Sequence, residues 1–280
     1  HSGRKGSVNV PSVGNNIPLV KHGWDLISAS PIPFNEAMAI PKEMSVSDMD
    51  NIISEFVNAT IFAEEAGFDM IELQAHHGFL LASFLSPLTN IRKDEFGGSI
   101  QNRIKFPLQV FQAMREVFPE NKPMSVRISA SDWAENGISE QEVLFICEAF
   151  KNAGADIINV STGNTVDNQQ PQIGRMWQTP FSDMIRNTIH VPTITTGYIQ
   201  DIDQINTLLL NGRADLIALG RPLLLDPNFV RHAQAYEKYE PTDIPNQYKA
   251  GISHLYPWHQ TQRNAVEAMK KALKPESHKP

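Results

Sequence analysis

Gln74, His76 and His77 stand together in IELQAHHGF, just past a short apolar run. Gln74 and His77 are three residues apart, and each offers an N–H that can hold a carbonyl or phenolate oxygen and stabilise negative charge developing on it. Gln74 donates from its amide but cannot carry a positive charge. His76 neighbours His77 on an extended chain and points the other way. The bland alternative is that all three cap a strand or face solvent.

Arg127, in SVRISASDW, sits in an otherwise apolar run, where a cation is costly unless paired. It serves either a ligand or a salt bridge to another strand. Thr196-Gly197-Tyr198 and Gly220-Arg221 end two successive apolar runs. Glycine lets a backbone approach a ligand, and free N–H groups there make an anion site. Cys147, in LFICEAF, falls among apolar residues at helical spacing and reads as a buried thiol. His254 and His259 have no nearby cysteine or paired carboxylates, so no metal site is expected. The chain carries no GxGxxG, so no separate dinucleotide-binding domain is expected.

These residues need strand ends to carry them. Short apolar runs at 70–73, 124–128, 157–160, 193–196 and 216–219 read as strands. Amphipathic stretches at 103–118, 140–153, 180–189 and 202–210 read as the helices between them. A helix capped by Ser45 or Ser47 runs to about residue 66, and peripheral helices are expected at 228–237 and 260–272. Residues 8–45, rich in Pro, Asn and Ser, read as a long surface loop. Such alternation means a parallel α/β sheet with right-handed crossovers, and its length suggests a TIM (β/α)8 barrel. About five units are expected where a closed barrel needs eight, so the first strands are missing from this chain. An open barrel exposes two edge strands and invites association. Residues 1–240 are expected to form the barrel part and 241–280 an extension with a peripheral helix.

Composition bounds the function. The 280 residues carry a formal net charge of -7, which argues against nucleic acid or an acidic membrane as partner. Lys270, Lys271 and Lys274 read as a solvated basic end. The single cysteine fits a reducing compartment, no apolar run is long enough to span a membrane, and cytoplasm is the default.

HGFLLASFLSPLTNIRKDEFGGSIQNR, residues 77–103, resembles the signature loop of the old yellow enzyme family of FMN-dependent oxidoreductases. HSGRKG at the start and GRADLIALGRP at 212–222 are similar to family segments too. The resemblance implies a barrel with bound FMN, reduced by NAD(P)H, that passes hydride to an electron-poor C=C of an enone, dienone or dearomatised aryl-CoA. It implies that His77 and Gln74 hold the substrate oxygen. Arg127 would lie beside the flavin ring, and Thr196, Gly197, Tyr198, Gly220 and Arg221 would take its phosphate. It implies that roughly a hundred further residues precede HSGRKG in a complete domain.

Phe79 departs from the family, which usually has Tyr there as proton donor. Water or another side chain, His76 being the nearest, must then supply the proton. STGNTVDNQQPQIGRMWQTPFSDMIRN is similar to the reductase domain of salicylyl-CoA 5-hydroxylase and anthraniloyl-CoA monooxygenase proteins. That adds an upstream FAD-dependent hydroxylase domain as partner, with room for a homo-oligomer. Arg175 becomes a candidate for an anionic group of an acyl-CoA, with Phe79 lining the substrate; a surface ion pair is the plain alternative for Arg175. Two other readings stay open: a non-catalytic flavin-barrel remnant or subunit, and a phosphate-binding barrel lyase or isomerase without flavin.

Overall fold

The computed structural model of the chain describes residues 1–10, 17–19, 21–237, 239 and 244–273. Ser45 opens the long helix Val46–Glu65 with a reciprocal cap: its hydroxyl accepts from the Asp48 N–H, and Asp48 accepts from the Ser45 N–H. Ser139 and Glu142 do the same for Glu140–Asn152. Each cap contributes about 1 kcal/mol.

The segment expected as a surface loop is more ordered than its composition suggests. Two short strands, β1 (Ile27–Ser28) and β2 (Lys42–Glu43), pair in parallel, and Leu26, Ala29, Met38 and Met44 are buried. Strands of two residues show no period, and what pins them is distant. Arg92 donates to the carbonyl oxygens of Ala29 at 3.0 Å and Met44 at 2.8 Å.

The main sheet has five parallel strands among the described residues. They are β3 (Ile71–Ala75), β4 (Met124–Ser129), β5 (Ile157–Ser161), β6 (Thr193–Thr195) and β7 (Leu216–Ile217), paired in chain order. Helices Lys105–Val117, Glu140–Asn152, Thr179–Ile189 and Ile202–Leu210 fall between β3 and β7. This is the strand–helix alternation of a (β/α)8 barrel, present in part. β3 starts and ends later than its apolar run, because Gln74 and Ala75 still pair with Arg127 and Ile128. β7 is shorter than expected. Two short helices, Ala82–Leu85 and Ile100–Arg103, lie inside a stretch expected to be irregular.

Alternation along the strands divides the sheet's faces. Leu73, Ala75, Val126, Ile128, Ile158 and Val160 join one apolar core with Phe106, Val110, Phe111, Ile146 and Phe150 from the helices. Burying each such large side chain contributes about 2 kcal/mol. Cys147 belongs to this core, and burial pushes its thiol up, so it is packing rather than chemistry. The opposite face is mostly polar: Glu72, Gln74, Ser125, Arg127, Ser129, Asn159 and Ser161, with Ile157 as its apolar member.

The chain divides into two compact units, one of residues 1–199 and 203–218 and the other of residues 200–202 and 219–280. The boundary expected at residue 240 falls on residues outside the described ones. In the second unit the helix Lys249–Ala272 is longer than the stretch expected and contains Pro257. His232 lies 2.7 Å from Asp226 and its ring 5.6 Å from that of His259. Lys270 and Lys271 are exposed near the helix end, and Lys274 lies outside the described residues. No helix among the described residues is long and apolar enough to cross a membrane.

Candidate active site

After Ala75 the chain turns sharply, with φ +55 at His77 and +67 at Gly78. A Cβ on Gly78 would lie 2.9 Å from the carbonyl oxygens of both Asn164 and Thr165, so only glycine lets this turn rest on the loop after β5. The His77 N–H donates to Ser129 Oγ at 2.9 Å, and Ser129 donates onward to the Gly163 carbonyl at 3.1 Å. His77 Nε2 is 2.7 Å from Ser161 Oγ. The strand ends of β3, β4 and β5 thus position one imidazole.

The rings of His76 and His77 lie 4.0 Å apart, and Phe79 meets His76 edge-on at 5.9 Å. His1 stacks on Phe79 at 4.3 Å. Lys5 Nζ donates to the carbonyl oxygens of His77 and Asn164 and stands 5.3 Å over the Phe79 ring. Arg4 is fully buried and donates to the carbonyl oxygens of Ile32, Pro33 and Thr165.

These cations and the burial decide the charge of the pair. Burial first, then the charges of His77, Arg127 and Lys5, push His76 down to about 2. Burial, then Arg127 and Lys5, push His77 down to about 3. Both rings are therefore neutral at neutral pH, and His76 carries no surplus proton. Lys5 is itself lowered to about 8, by burial and then by Arg4.

Gln74 is exposed on the polar sheet face, paired in register with Arg127. Arg127 forms no ion pair among the described residues, contrary to the salt-bridge alternative. Burial lowers its pKa against the attraction of Glu72, and its Nε is buried without a partner. Glu72 instead accepts from Ser125 Oγ at 2.6 Å and Asn159 Nδ2 at 2.9 Å, leaving Asn159 Oδ1 buried and unpartnered.

Much of the signature loop does architectural work. Asn90 donates to the carbonyl oxygens of Phe84 and Phe96, at 2.8 and 2.7 Å. Arg103 donates to the Leu85 and Gly98 carbonyls and pairs with Glu142. A buried arginine that reaches this many acceptors holds a loop in one conformation.

At the end of β6, Gly197 has φ +100, and a Cβ there would meet Trp177 Nε1 at 2.9 Å. Its glycine is thus required by packing within the chain. The Met176 N–H donates to the Tyr198 carbonyl at 3.3 Å, Thr196 is half-buried, and Trp177 lies 5.7 Å from Trp133. Arg175 is exposed, with no ion pair or hydrogen bond among the described residues. In the second unit, Gly220 precedes the short helix Arg221–Leu225, and a Cβ on it would meet nothing within 4 Å.

The structure therefore brings together His76, His77 and Phe79 at the end of β3, with Arg127 and Gln74 opposite each other in the sheet. Thr196, Gly197 and Tyr198 lie at the end of β6, against Met176 and Trp177. The sequence reading missed Lys5, Ser129 and Ser161. Two consecutive cations in HSGRK were a usable signal for Lys5. The serines had none beyond their places at strand ends, since their partners come from other strands.

The profile of the NADH:flavin oxidoreductase / NADH oxidase family matches residues 25–240. The chain belongs to this family. An NADPH dehydrogenase of Clostridium acetobutylicum is 40% identical over 231 residues, covering 81% of this chain. The chain spans 66% of the length of that relative. Among solved structures, a 2-naphthoyl-CoA reductase in complex with 2-naphthoyl-CoA superposes with a TM-score of 0.69 at 22% identity, over 78% of this chain and 34% of that one. Morphinone reductase with tetrahydroNAD gives 0.63 at 22%, over 79% and 62%. At those identities the likeness is one of fold. For a flavin-family chain the polar sheet face is apt. Arg127 Nε supplies a buried unpartnered donor and Asn159 Oδ1 an acceptor on neighbouring strands, and a flavin ring has complementary carbonyl and N–H edges. The residues present fit FMN on this ground.

Proposed function

We propose that the protein is an FMN-dependent NAD(P)H oxidoreductase acting on an electron-poor C=C conjugated to a carbonyl, in an enone, dienone or dearomatised aryl-CoA. The observation that carries this is Arg127. It is a half-buried cation with no ion pair among the described residues and an unpartnered Nε, on the sheet face that ends at the His76–His77 turn. When bound, FMN supplies two-electron hydride chemistry. The residues of the chain bind and polarise. His77 and Gln74 hold the carbonyl oxygen, His76 packs against His77, and Arg127 with Asn159 faces the cofactor. The resemblance assigns phosphate binding to Thr196, Gly197 and Tyr198, and it alone supports Gly220 and Arg221 in that role. The NADPH dehydrogenase relatives favour NADPH as donor.

The aryl-CoA class is the narrower part of this reading. The GRMWQTPF stretch favours it, as does likeness in fold to a reductase solved with 2-naphthoyl-CoA. Phe79 would line that substrate and exposed Arg175 would meet an anionic group of the acyl-CoA. An upstream FAD-dependent hydroxylase domain and a homo-oligomer belong to the same proposal. Phe79 has no proton to give, so water or another side chain, His76 being the nearest, supplies the proton that completes reduction; burial and the nearby cations disfavour a doubly protonated His76 ring.

Phe79 also favours a second reading, a flavin-binding subunit without reductase activity. The visible absorption spectrum after incubation with FMN and desalting separates them. Retained flavin bands, bleached anaerobically by NADPH and restored by an enone, are expected. Bands that no enone restores support the non-catalytic subunit, and a colourless protein sinks both.

A further inference from the structure

Ser161 is 1% exposed, and its hydroxyl lies 2.7 Å from His77 Nε2 with no other partner among the described residues. The direction of this bond decides which ring nitrogen of His77 carries the proton. Were Nε2–H the donor, the serine proton would be buried with no acceptor, an arrangement that native interiors avoid. With the Ser161 hydroxyl as donor, both groups are satisfied and the imidazole proton sits on Nδ1. Ser129 occupies the matching place on β4, opposite Ser161 in the register. It does not compete for the ring, because its oxygen accepts from the His77 backbone N–H and its proton goes to Gly163. One serine thus holds the backbone of His77 and the other its ring.

We propose that Ser161 is a positioning residue that fixes His77 as the neutral Nδ1–H tautomer, so that the ring presents a single N–H donor, at Nδ1, to a carbonyl oxygen. This rests on the oxygen-holding role given to His77 above. The charges of Arg127 and Lys5, which keep a second proton off the ring, act in the same direction.

The test is a two-bond proton–nitrogen NMR spectrum of the full chain labelled with ¹⁵N-histidine, at neutral pH, with His77 assigned by loss of its signals in His77→Gln. The wild type is expected to show a protonated Nδ1 and a bare Nε2. Ser161→Ala should split His77 between both tautomers, and Ser161→Thr, which keeps the hydroxyl, should restore the single form. A merely structural role would not move this signature. In FMN-loaded protein, Ser161→Ala should raise KM for 2-cyclohexenone roughly tenfold, with recovery in Ser161→Thr. A wild-type ring protonated at Nε2, or a pure Nδ1–H form in Ser161→Ala, overturns the proposal, and the wild-type spectrum decides even if the variant fails to fold. Failure to retain flavin would sink the oxidoreductase reading and leave the tautomer result standing.

Discussion

The Lys5 ammonium donates to the His77 carbonyl oxygen at 3.1 Å and to that of Asn164 at 2.8 Å, so the first residues of the chain tie down the turn carrying the histidine pair. Lys5→Met removes both bonds while keeping most of the apolar stem. It is expected to weaken binding of a phenol ligand by up to roughly thirtyfold, since each of the two lost bonds contributes about 1 kcal/mol. Isothermal titration with p-cresol checks it, and an unchanged Kd would show that the turn holds its shape without Lys5.

Acid should unfold the protein earlier than its carboxylates alone predict. His76 and His77 are pushed down to about 2 and 3 in the folded state, against an ordinary 6.5. Above pH 6.5 both states are neutral and nothing is lost. Below it the unfolded chain binds protons that the folded one refuses, so stability falls with pH down towards those folded values. The cost is at most about 1.4 kcal/mol per pH unit for each histidine. Urea midpoints between pH 7.5 and 5 measure it, and the double variant His76→Gln/His77→Gln should flatten the slope.

Glu142 joins two parts of the fold, capping the helix after β4 through Ser139 and pairing with buried Arg103. Burial pushes its pKa up, but the Ser139 N–H and the Arg103 guanidinium outweigh this and leave it below the ordinary range. Glu142→Gln leaves Arg103 buried without its counter-charge. We expect a loss of about 3 kcal/mol, at the low end for buried pairs because the Glu142 side chain is 25% exposed. Its contribution is full above the ordinary glutamate value and is lost as pH falls through the lower folded one, so the two proteins should converge in acid.

Gly78→Ala forces a Cβ to within 2.9 Å of two carbonyl oxygens at a φ of +67, whereas Gly98 has φ +81 and nothing within 4 Å. Gly98→Ala should therefore cost about 1 kcal/mol from backbone strain, and Gly78→Ala clearly more. Equal denaturation midpoints for the two variants would contradict the close packing of the His77 turn on the Asn164 loop.

Phe79→Tyr supplies a hydroxyl where the reading lacks a proton donor. General acids typically contribute about a hundredfold or more, so even a poorly aligned hydroxyl should raise the rate of flavin reoxidation by an enone about tenfold. Stopped-flow reoxidation measures this, with flavin affinity unchanged. A flat result would mean that solvent protonation is already fast.

The sequence by itself determined the parallel α/β class, the positions of the five strands and the family. These follow from local periodicity and from a long run of motif residues, departing from the family at Phe79, both written in neighbouring positions. It also marked Gln74, His77 and Arg127, because polar types within or just past apolar runs stand out without knowledge of the fold. The small parallel pair in residues 8–45 was illegible, since Arg92 holds it from across the chain. Only the tertiary structure decided that His76 and His77 are neutral, because their charge is set by burial and by Lys5 and Arg127 from two other segments. It alone assigned the Gly197 glycine to packing against Trp177, and it alone brought Ser129 and Ser161 to His77. Hydrogen bonds between strands far apart in sequence leave no spacing to read, which is why both serines came to light only in the fold.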